Sequence, residues 1–330
     1  MATTKKRRSS AGNGKTKVGG NPGFPGQVVL VLQGGGALGA YQVGVYEAMH
    51  EAGVEPDWVI GTSIGAINAG LIAGNAKPNR MPRLREFWSR VEQGASNDLM
   101  RFFSGLPNLS ANLTTVSQGI PCFFVPNPAA WLSSHIPLGV EKAAYYSTAP
   151  LRETLSELVE FDCNSAGHTR LTVGAVNARN GEMRYFDSRD EEIRVDHILA
   201  SGALPPAFPA VRIDGDPYWD GGIYSNTPIE AVLDDNPRRD SVIFAVNVWN
   251  PEGTEPQSVW EVMGRTKDID FTPDGIQMRW QAGYADTKRM LERAPWAKAV
   301  DPTNGVVIHE PIETTVHIAE GVDGFAGRTR

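Results

Sequence analysis

The chain has 330 residues, 41% hydrophobic and 21% charged, with a formal net charge of −7. That balance belongs to a globular protein long enough for one large or two modest domains and a sizeable core. It argues against three classes. No apolar run reaches the length of a bilayer span; the only cysteines, Cys122 and Cys163, make neither a disulfide framework nor a metal cluster; and an acidic body is no surface for nucleic acid.

Residues 1–26 hold Lys5, Lys6, Arg7, Arg8, Lys15 and Lys17 and no acid, so the rest of the chain is more acidic than the whole. This stretch reads as a disordered, solvated basic tail, with contact to anionic lipid or nucleic acid as the alternative. No apolar core follows its basic residues, so this stretch is not expected to act as a secretory signal. Together with two unpaired thiols, this predicts a cytoplasmic protein.

Gln27–Gln33 holds the unbroken apolar run Val28–Leu32, suited to a buried parallel strand, and leads into Gly34-Gly35-Gly36-Ala37-Leu38-Gly39. Consecutive glycines let backbone N–H groups crowd around one oxygen atom. The helix expected from Ala40 to about Ala52 adds its dipole in the same direction, which is how an oxyanion hole is built. The same letters fit a dinucleotide fingerprint through Gly34, Gly36 and Gly39, with Glu51, Glu55 or Asp57 as its acidic partner.

Trp58-Val59-Ile60 reads as a second strand, and Gly61-Thr62-Ser63-Ile64-Gly65 follows it at the start of a small-residue helix, Ile64–Ala73. A serine on a sharp strand-to-helix turn exposes its hydroxyl above a sheet, and flanking glycines remove side chains that would clash there. A nucleotide-binding reading leaves this second turn unexplained.

A third helix is expected to begin near Met81-Pro82 and to pass Phe87-Trp88. Residues 94–146 are broken by Pro107, Pro121, Pro126, Pro128 and Pro137, yet hold Phe102, Phe103, Phe123, Phe124 and Trp131. Two readings stand: a lid that offers apolar surface to an acyl chain, or an irregular segment packed on the core.

Regular structure resumes with a helix near Pro150–Glu160 and a strand at Leu171–Val176, which turns at Asn180-Gly181 into Met183–Phe186. A short helix at Asp196–Ser201 precedes a hairpin, Val211–Ile213 to Tyr218-Trp219, turning at Asp214-Gly215. It delivers Asp220, followed by Gly221 and Gly222. Asp-Gly is common turn chemistry, but an Asp held within reach of a serine can act as its base. A helix near Pro228–Leu233 and a strand at Val242–Val248 close the alternation, which argues for a largely parallel sheet between helical layers. Beyond Asn250 a helix capped by Thr272 is expected to run to about Arg293, with Val306–Ile308 as an extra strand. The six histidines do not cluster, so no metal site is expected. His309 and His317 follow Asp220 and complete a Ser, Asp, His order only formally.

Gly34–Gly39, Gly61–Gly65 and Asp220-Gly221-Gly222, in this order, resemble the blocks of the patatin-like phospholipase family. Ala200-Ser201-Gly202-Ala203-Leu204-Pro205-Pro206-Ala207-Phe208-Pro209 resembles the segment upstream of the family's aspartate. The resemblance covers roughly residues 27–250 and implies a three-layer α/β/α fold with a largely parallel central sheet. It implies hydrolysis of acyl esters, usually of lipids, by a Ser–Asp dyad without histidine and without a cofactor. Ser63 would be the nucleophile, Asp220 the base, and the amides of Gly34, Gly35, Gly36 and Ala37 the oxyanion hole. The family often carries Arg or Lys where this chain has Leu38. A cation near an anionic part of the substrate is thereby missing, which bears on phospholipid specificity more than on ester hydrolysis and leaves room for neutral esters, short hydroxyacid polyesters included. The expected organisation is a tail at 1–26, a catalytic domain at 27–250 and, at 251–330, an extension like that of some bacterial relatives. The partner expected is a lipid or other ester, with peripheral membrane contact; the oligomeric state stays open.

Overall fold

A computed structural model describes residues 23–95, 119–132, 137–165, 167–249, 269–298, 301 and 305–310. Much of the expected tail and of the segment at 94–146 therefore lies outside the described residues, as do His317 and residues 250–268.

Strand β1 (Gln27–Leu32) is an interior strand of the main sheet, one in from its edge, and its apolar residues are buried on both faces. It pairs in parallel with β2 (Trp58–Gly61) on one side and with β9 (Ser241–Val246) on the other, and β2 pairs in parallel with β5 (Arg170–Asn177). The remaining strands, β6 (Met183–Asp187), β7 (Val211–Ile213) and β8 (Asp216–Asp220), are antiparallel and gather around β5. The sheet order is β7-β8-β5-β2-β1-β9, with β6 on β5. Successive side chains alternate across the sheet. Val28, Leu30 and Leu32 join the large core under α1 (Gly39–Glu51), α2 (Ile64–Ala73) and α3 (Lys77–Ala95). Val29, Val31, Trp58 and Ile60 form a smaller cluster with Val232 of α7 (Glu230–Leu233) on the other face. The fold is thus a three-layer α/β/α arrangement with unequal helical layers.

Three expectations change. The third helix starts at Lys77, with Pro78 rather than Pro82 near its beginning, and Pro82 lies inside it. Phe24 is not part of a free tail: its ring stacks on Trp296 at 5.0 Å and meets Phe244. Val306–Ile308 forms no strand; these side chains are exposed.

Within the segment at 94–146, Ile120, Phe123 and Phe124 are packed into the core, while residues such as Pro137, Glu141 and Tyr145 are exposed. Short strands β3 (Val125–Pro126) and β4 (Tyr146–Ser147) pair with each other, flanking α4 (Pro128–Leu132). Phe123 and Phe124 are buried in an aromatic cluster with Phe87, Tyr146, Phe208 and Phe271. Helix α5 (Ala149–Leu158) follows.

The last long helix, α8 (Pro273–Arg293), is capped by Thr272, whose hydroxyl accepts from Gly275 N–H, and lies against α1. The two backbones meet at glycines. A Cβ on Gly44 would lie 1.9 Å from the Trp280 carbonyl oxygen, and one on Gly283 would lie 2.0 Å from that of Tyr41. Tyr41, Glu47 and Glu51 of α1 hydrogen-bond Asp286, Trp280 and Tyr284 of α8.

Candidate active site

The registers on β5 explain why Ser63 and Asp220 meet. β6 occupies one edge of β5 from Thr172 to Val176, so β2 and β8 must share the other edge. β2 runs up that edge until Gly61 stands opposite Val173. β8 comes down it from the far end until Asp220 stands opposite Ala175. The parallel strand and the antiparallel strand therefore end facing each other, and the residues just past β2 meet the last residue of β8.

The serine turn is as sharp as its sequence predicts. Ser63 has φ 56° and ψ −126°, a backbone conformation that non-glycine residues rarely adopt. A Cβ at Gly61 would lie 2.3 Å from the Gly65 oxygen, and one at Gly65 would lie 2.2 Å from the Leu32 oxygen, so neither position admits a side chain without moving backbone. The Ser63 N–H is held by Ser201, donating to its carbonyl and to its hydroxyl, each at 3.1 Å. Ser201 ends α6 (Val195–Ser201) and is fully buried. Two residues on, the Ala203 carbonyl accepts the Asp220 N–H at 3.0 Å. One short segment thus holds the backbones of both residues.

Asp220 is 2% exposed. Burial pushes its carboxyl up to about 6; the neighbouring Ser63 side chain and a hydrogen bond from the Gly222 N–H at 2.7 Å act in the opposite direction. Gly221 is required because the Gly174 carbonyl passes 2.3 Å from where its Cβ would stand.

The glycine turn lies beside them: a Cβ on Gly34 would come 3.1 Å from Ser63 Cβ. Gly36–Leu38 form a single 3₁₀ turn leading into α1. The N–H groups of Gly36 and Ala37 open that turn, where no preceding turn supplies acceptors, and Gly35 comes just before. Gly34 differs. Its N–H donates to the Asn226 carbonyl at 3.1 Å, so it is not free to meet an oxyanion. Of the four donors expected, Gly35, Gly36 and Ala37 remain. Gly39 serves packing, since a Cβ there would press on Ile64 at 2.5 Å. Leu38, where a cation was missing from the pattern, is buried.

Other residues singled out in the sequence do not reach this place. Asp57 sits at the opposite end of β2, where its carboxylate accepts from Val28 N–H at 2.8 Å. Glu55 is engaged there by Arg80 and Tyr46, and Glu51 by Tyr284. The dinucleotide reading therefore lacks its acidic residue at the glycine turn. Among the described residues no histidine hydrogen-bonds Ser63 or Asp220. His309 is exposed, and His197 is buried against Phe186. A cavity of about 500 Å³ between α1, α3 and α8 is lined by Trp88, Trp280 and Tyr284, among others, but by neither Ser63 nor Asp220.

Sequence reasoning gave no role to Ser201 and overlooked Asn226. The second follows the Asp-Gly-Gly block closely, and an Asn before Thr-Pro reads only as turn chemistry.

The family model described as patatin-like phospholipase matches residues 30–233, and one described as patatin phospholipase matches residues 260–303, a span that includes α8. The chain is 29% identical over 307 residues to Lysophospholipase NTE1 of Kluyveromyces lactis, a match covering 87% of this chain and 18% of that protein. It is 25% identical over 296 residues to the protein of that name from Candida glabrata, covering 86% and 14%. The chain therefore spans less than a fifth of the length of these curated relatives. Among solved structures, VipD from Legionella pneumophila is similar over 81% of this chain and 67% of that one, at 16% identity and a TM-score of 0.38.

Proposed function

This chain belongs to the patatin-like phospholipase family, and on that premise we propose that it hydrolyses carboxylic esters of lipids through Ser63 and Asp220. The observation that carries the reading is the pairing itself: a serine on a strained elbow beside a buried carboxylate that no cation among the described residues neutralises.

Asp220 takes the Ser63 proton as the hydroxyl oxygen attacks the ester carbonyl. Negative charge develops on the carbonyl oxygen, which faces the amides of Gly35, Gly36 and Ala37. Collapse breaks the ester C–O bond and leaves an acyl-enzyme, and the departing alcohol takes the proton from Asp220. Water then gives a proton to Asp220 and attacks the acyl carbon. The acid leaves as that proton returns to Ser63. A carboxyl pushed up to about 6 is a stronger base than an ordinary aspartate and is still mostly ionised at neutral pH.

Leu38 and the other turn residues place no cation beside the reacting carbonyl, so the reading favours esters without an anionic group at that point. No described helix is long and apolar enough to cross a membrane; contact with lipid would be peripheral, and a cytoplasmic location belongs to the same reading. The test compares wild type with Ser63→Ala on short p-nitrophenyl esters and on lysophospholipid. Wild-type turnover and a loss on the order of 10⁴-fold or more are expected. Equal turnover by both proteins would refute the assignment.

A further inference from the structure

The glycine turn has no side chains of its own to fix it until Ala37, yet three of its amides must hold one orientation for the proposed chemistry. What fixes it comes from the loop after Asp220. Asn226 grips both backbone groups of Gly34: its carbonyl accepts the Gly34 N–H at 3.1 Å, and its Nδ2 donates to the Gly34 oxygen at 3.2 Å. Two glycines leave room for the carboxamide. A Cβ on Gly34 would lie 2.3 Å from Asn226 Oδ1, and one on Gly222 would lie 2.9 Å from it.

The loop that carries Asn226 is itself braced. Tyr224 and Ser225 donate their N–H groups to the Gly221 carbonyl at 3.0 and 2.9 Å. Thr227 Oγ1 accepts from Gln33 Nε2 at 2.7 Å, and Gln33 Oε1 accepts from Val248 N–H at 2.8 Å. The segment that begins with the carboxylate of Asp220 is therefore tied at two successive residues, Asn226 and Thr227, to the strand end that begins the glycine turn.

The Gly34 carbonyl and the Gly35 N–H belong to one peptide unit. In a planar trans peptide they point in opposite directions, so a bond that fixes the carbonyl fixes the amide. We infer that the Asn226 carboxamide is a positioning residue: by holding the Gly34 carbonyl it aims the Gly35 N–H into the oxyanion site and keeps the glycine turn in register with Asp220. This rests on the proposed ester hydrolysis only for its kinetic consequence; the restraint on the turn stands without it.

Two variants test it, Asn226→Ala and the isosteric Asn226→Asp, which keeps the shape but removes the donor. The first readout is hydrogen exchange of the peptide spanning residues 32–41 in the full chain. At least tenfold faster exchange there, with exchange in β5 and α8 unchanged, is expected; unchanged exchange at 32–41 overturns the inference. The second readout is kinetic. Both variants are expected to lose ten- to a hundredfold in kcat on a p-nitrophenyl ester with KM within threefold of wild type. Each should lose affinity for an alkyl trifluoromethyl ketone, which forms a tetrahedral oxyanion on the serine, by the same factor as kcat. Unchanged kcat, or a kcat loss without a matching loss of ketone affinity, overturns the positioning role. If wild type hydrolyses no ester, the functional reading falls, while the exchange measurement still decides whether Asn226 holds the turn.

Discussion

The two ends of the main sheet handle buried charge in opposite ways. Where β2 and β5 begin, Arg170 lies over the Trp58 ring at 3.6 Å and reaches both Asp187 and Asp235, and Arg189 joins Asp235 from the other side. Nearby, Arg80 is 3% exposed and bonds Glu55, Thr169 and the Asn75 carbonyl. Burial alone would raise the Asp235 carboxyl, but Arg189 and Arg170 overcome that and hold it below its ordinary value. Where β2 and β8 end, Asp220 is buried more deeply still, at 2% exposed, and among the described residues a hydroxyl and an amide, not a cation, oppose the effect of burial, so its carboxyl rises to about 6. A buried carboxylate set between cations is held ionised; one without a described cation beside it is a cost to the fold, and the proposed chemistry would use it.

The largest expected effect separates these roles at Asp220. Asp220→Asn removes the proposed base and should lower kcat/KM by 10²- to 10⁴-fold. It should also stabilise the protein. The folded-state value lies above the unfolded one, so the group's favourable contribution is present at acid pH and lost as pH rises through about 6. A neutral isostere avoids that loss, and chemical denaturation at pH 7 should show a gain of up to about 3 kcal/mol. A less stable Asn variant would break the comparison. Arg170→Ala makes the converse case: it strips a buried pair of its cation and should cost about 3 kcal/mol, while kcat per folded molecule stays within twofold. A large loss of kcat from Arg170→Ala would mean that the two ends are not independent.

Much of this was legible in the sequence, for identifiable reasons. Strands β1, β2 and β5 announce themselves as apolar runs, and the positions of Gly61, Ser63, Gly65 and Asp220 follow from turn chemistry that few other residues can satisfy. Asp214-Gly215 makes the hairpin that aims Asp220, both residues having positive φ as the signal requires. What could not be read is whatever depends on which backbones meet. The Gly34 amide looked like a free donor because nothing local shows that the Asn226 carbonyl would take it. Phe24 looked like tail because its partners, Phe244 and Trp296, are remote in sequence. The close approach of α1 and α8 rests on Gly44 and Gly283, which in each helix alone read only as weak helix formers.

The rate should carry the signature of Asp220. Because the base form is the active one, kcat/KM is expected to fall about tenfold per pH unit below an apparent pKa near 6 and to level off above it. A profile that keeps its plateau down to pH 4.5 would mean that Asp220 is not the titrating base.

The smallest effect is a cancellation. His197 is fully buried, stacked on Phe186, with Nδ1 accepting from the Arg194 N–H and Nε2 without a hydrogen bond, 3.8 Å from Glu191 Oε2. Burial lowers its pKa to about 4. Its folded value lies below the unfolded one, so the stability it permits is whole above about 6.5 and is lost as pH falls towards 4. Asp220 does the reverse over nearly the same window, gaining as pH falls from about 6 towards 3.8. Each contribution is on the order of 3 kcal/mol, and they have opposite signs. Their sum should change by only about 1 kcal/mol between pH 6.5 and 4. The single variants should expose the two halves: Asp220→Asn should lose stability on acidification more steeply than wild type, and His197→Gln less steeply. Denaturation curves for all three proteins at pH 6.5, 5.5 and 4.5 decide it. Parallel pH dependences would mean that neither group is buried in the protonation state the fold requires of it.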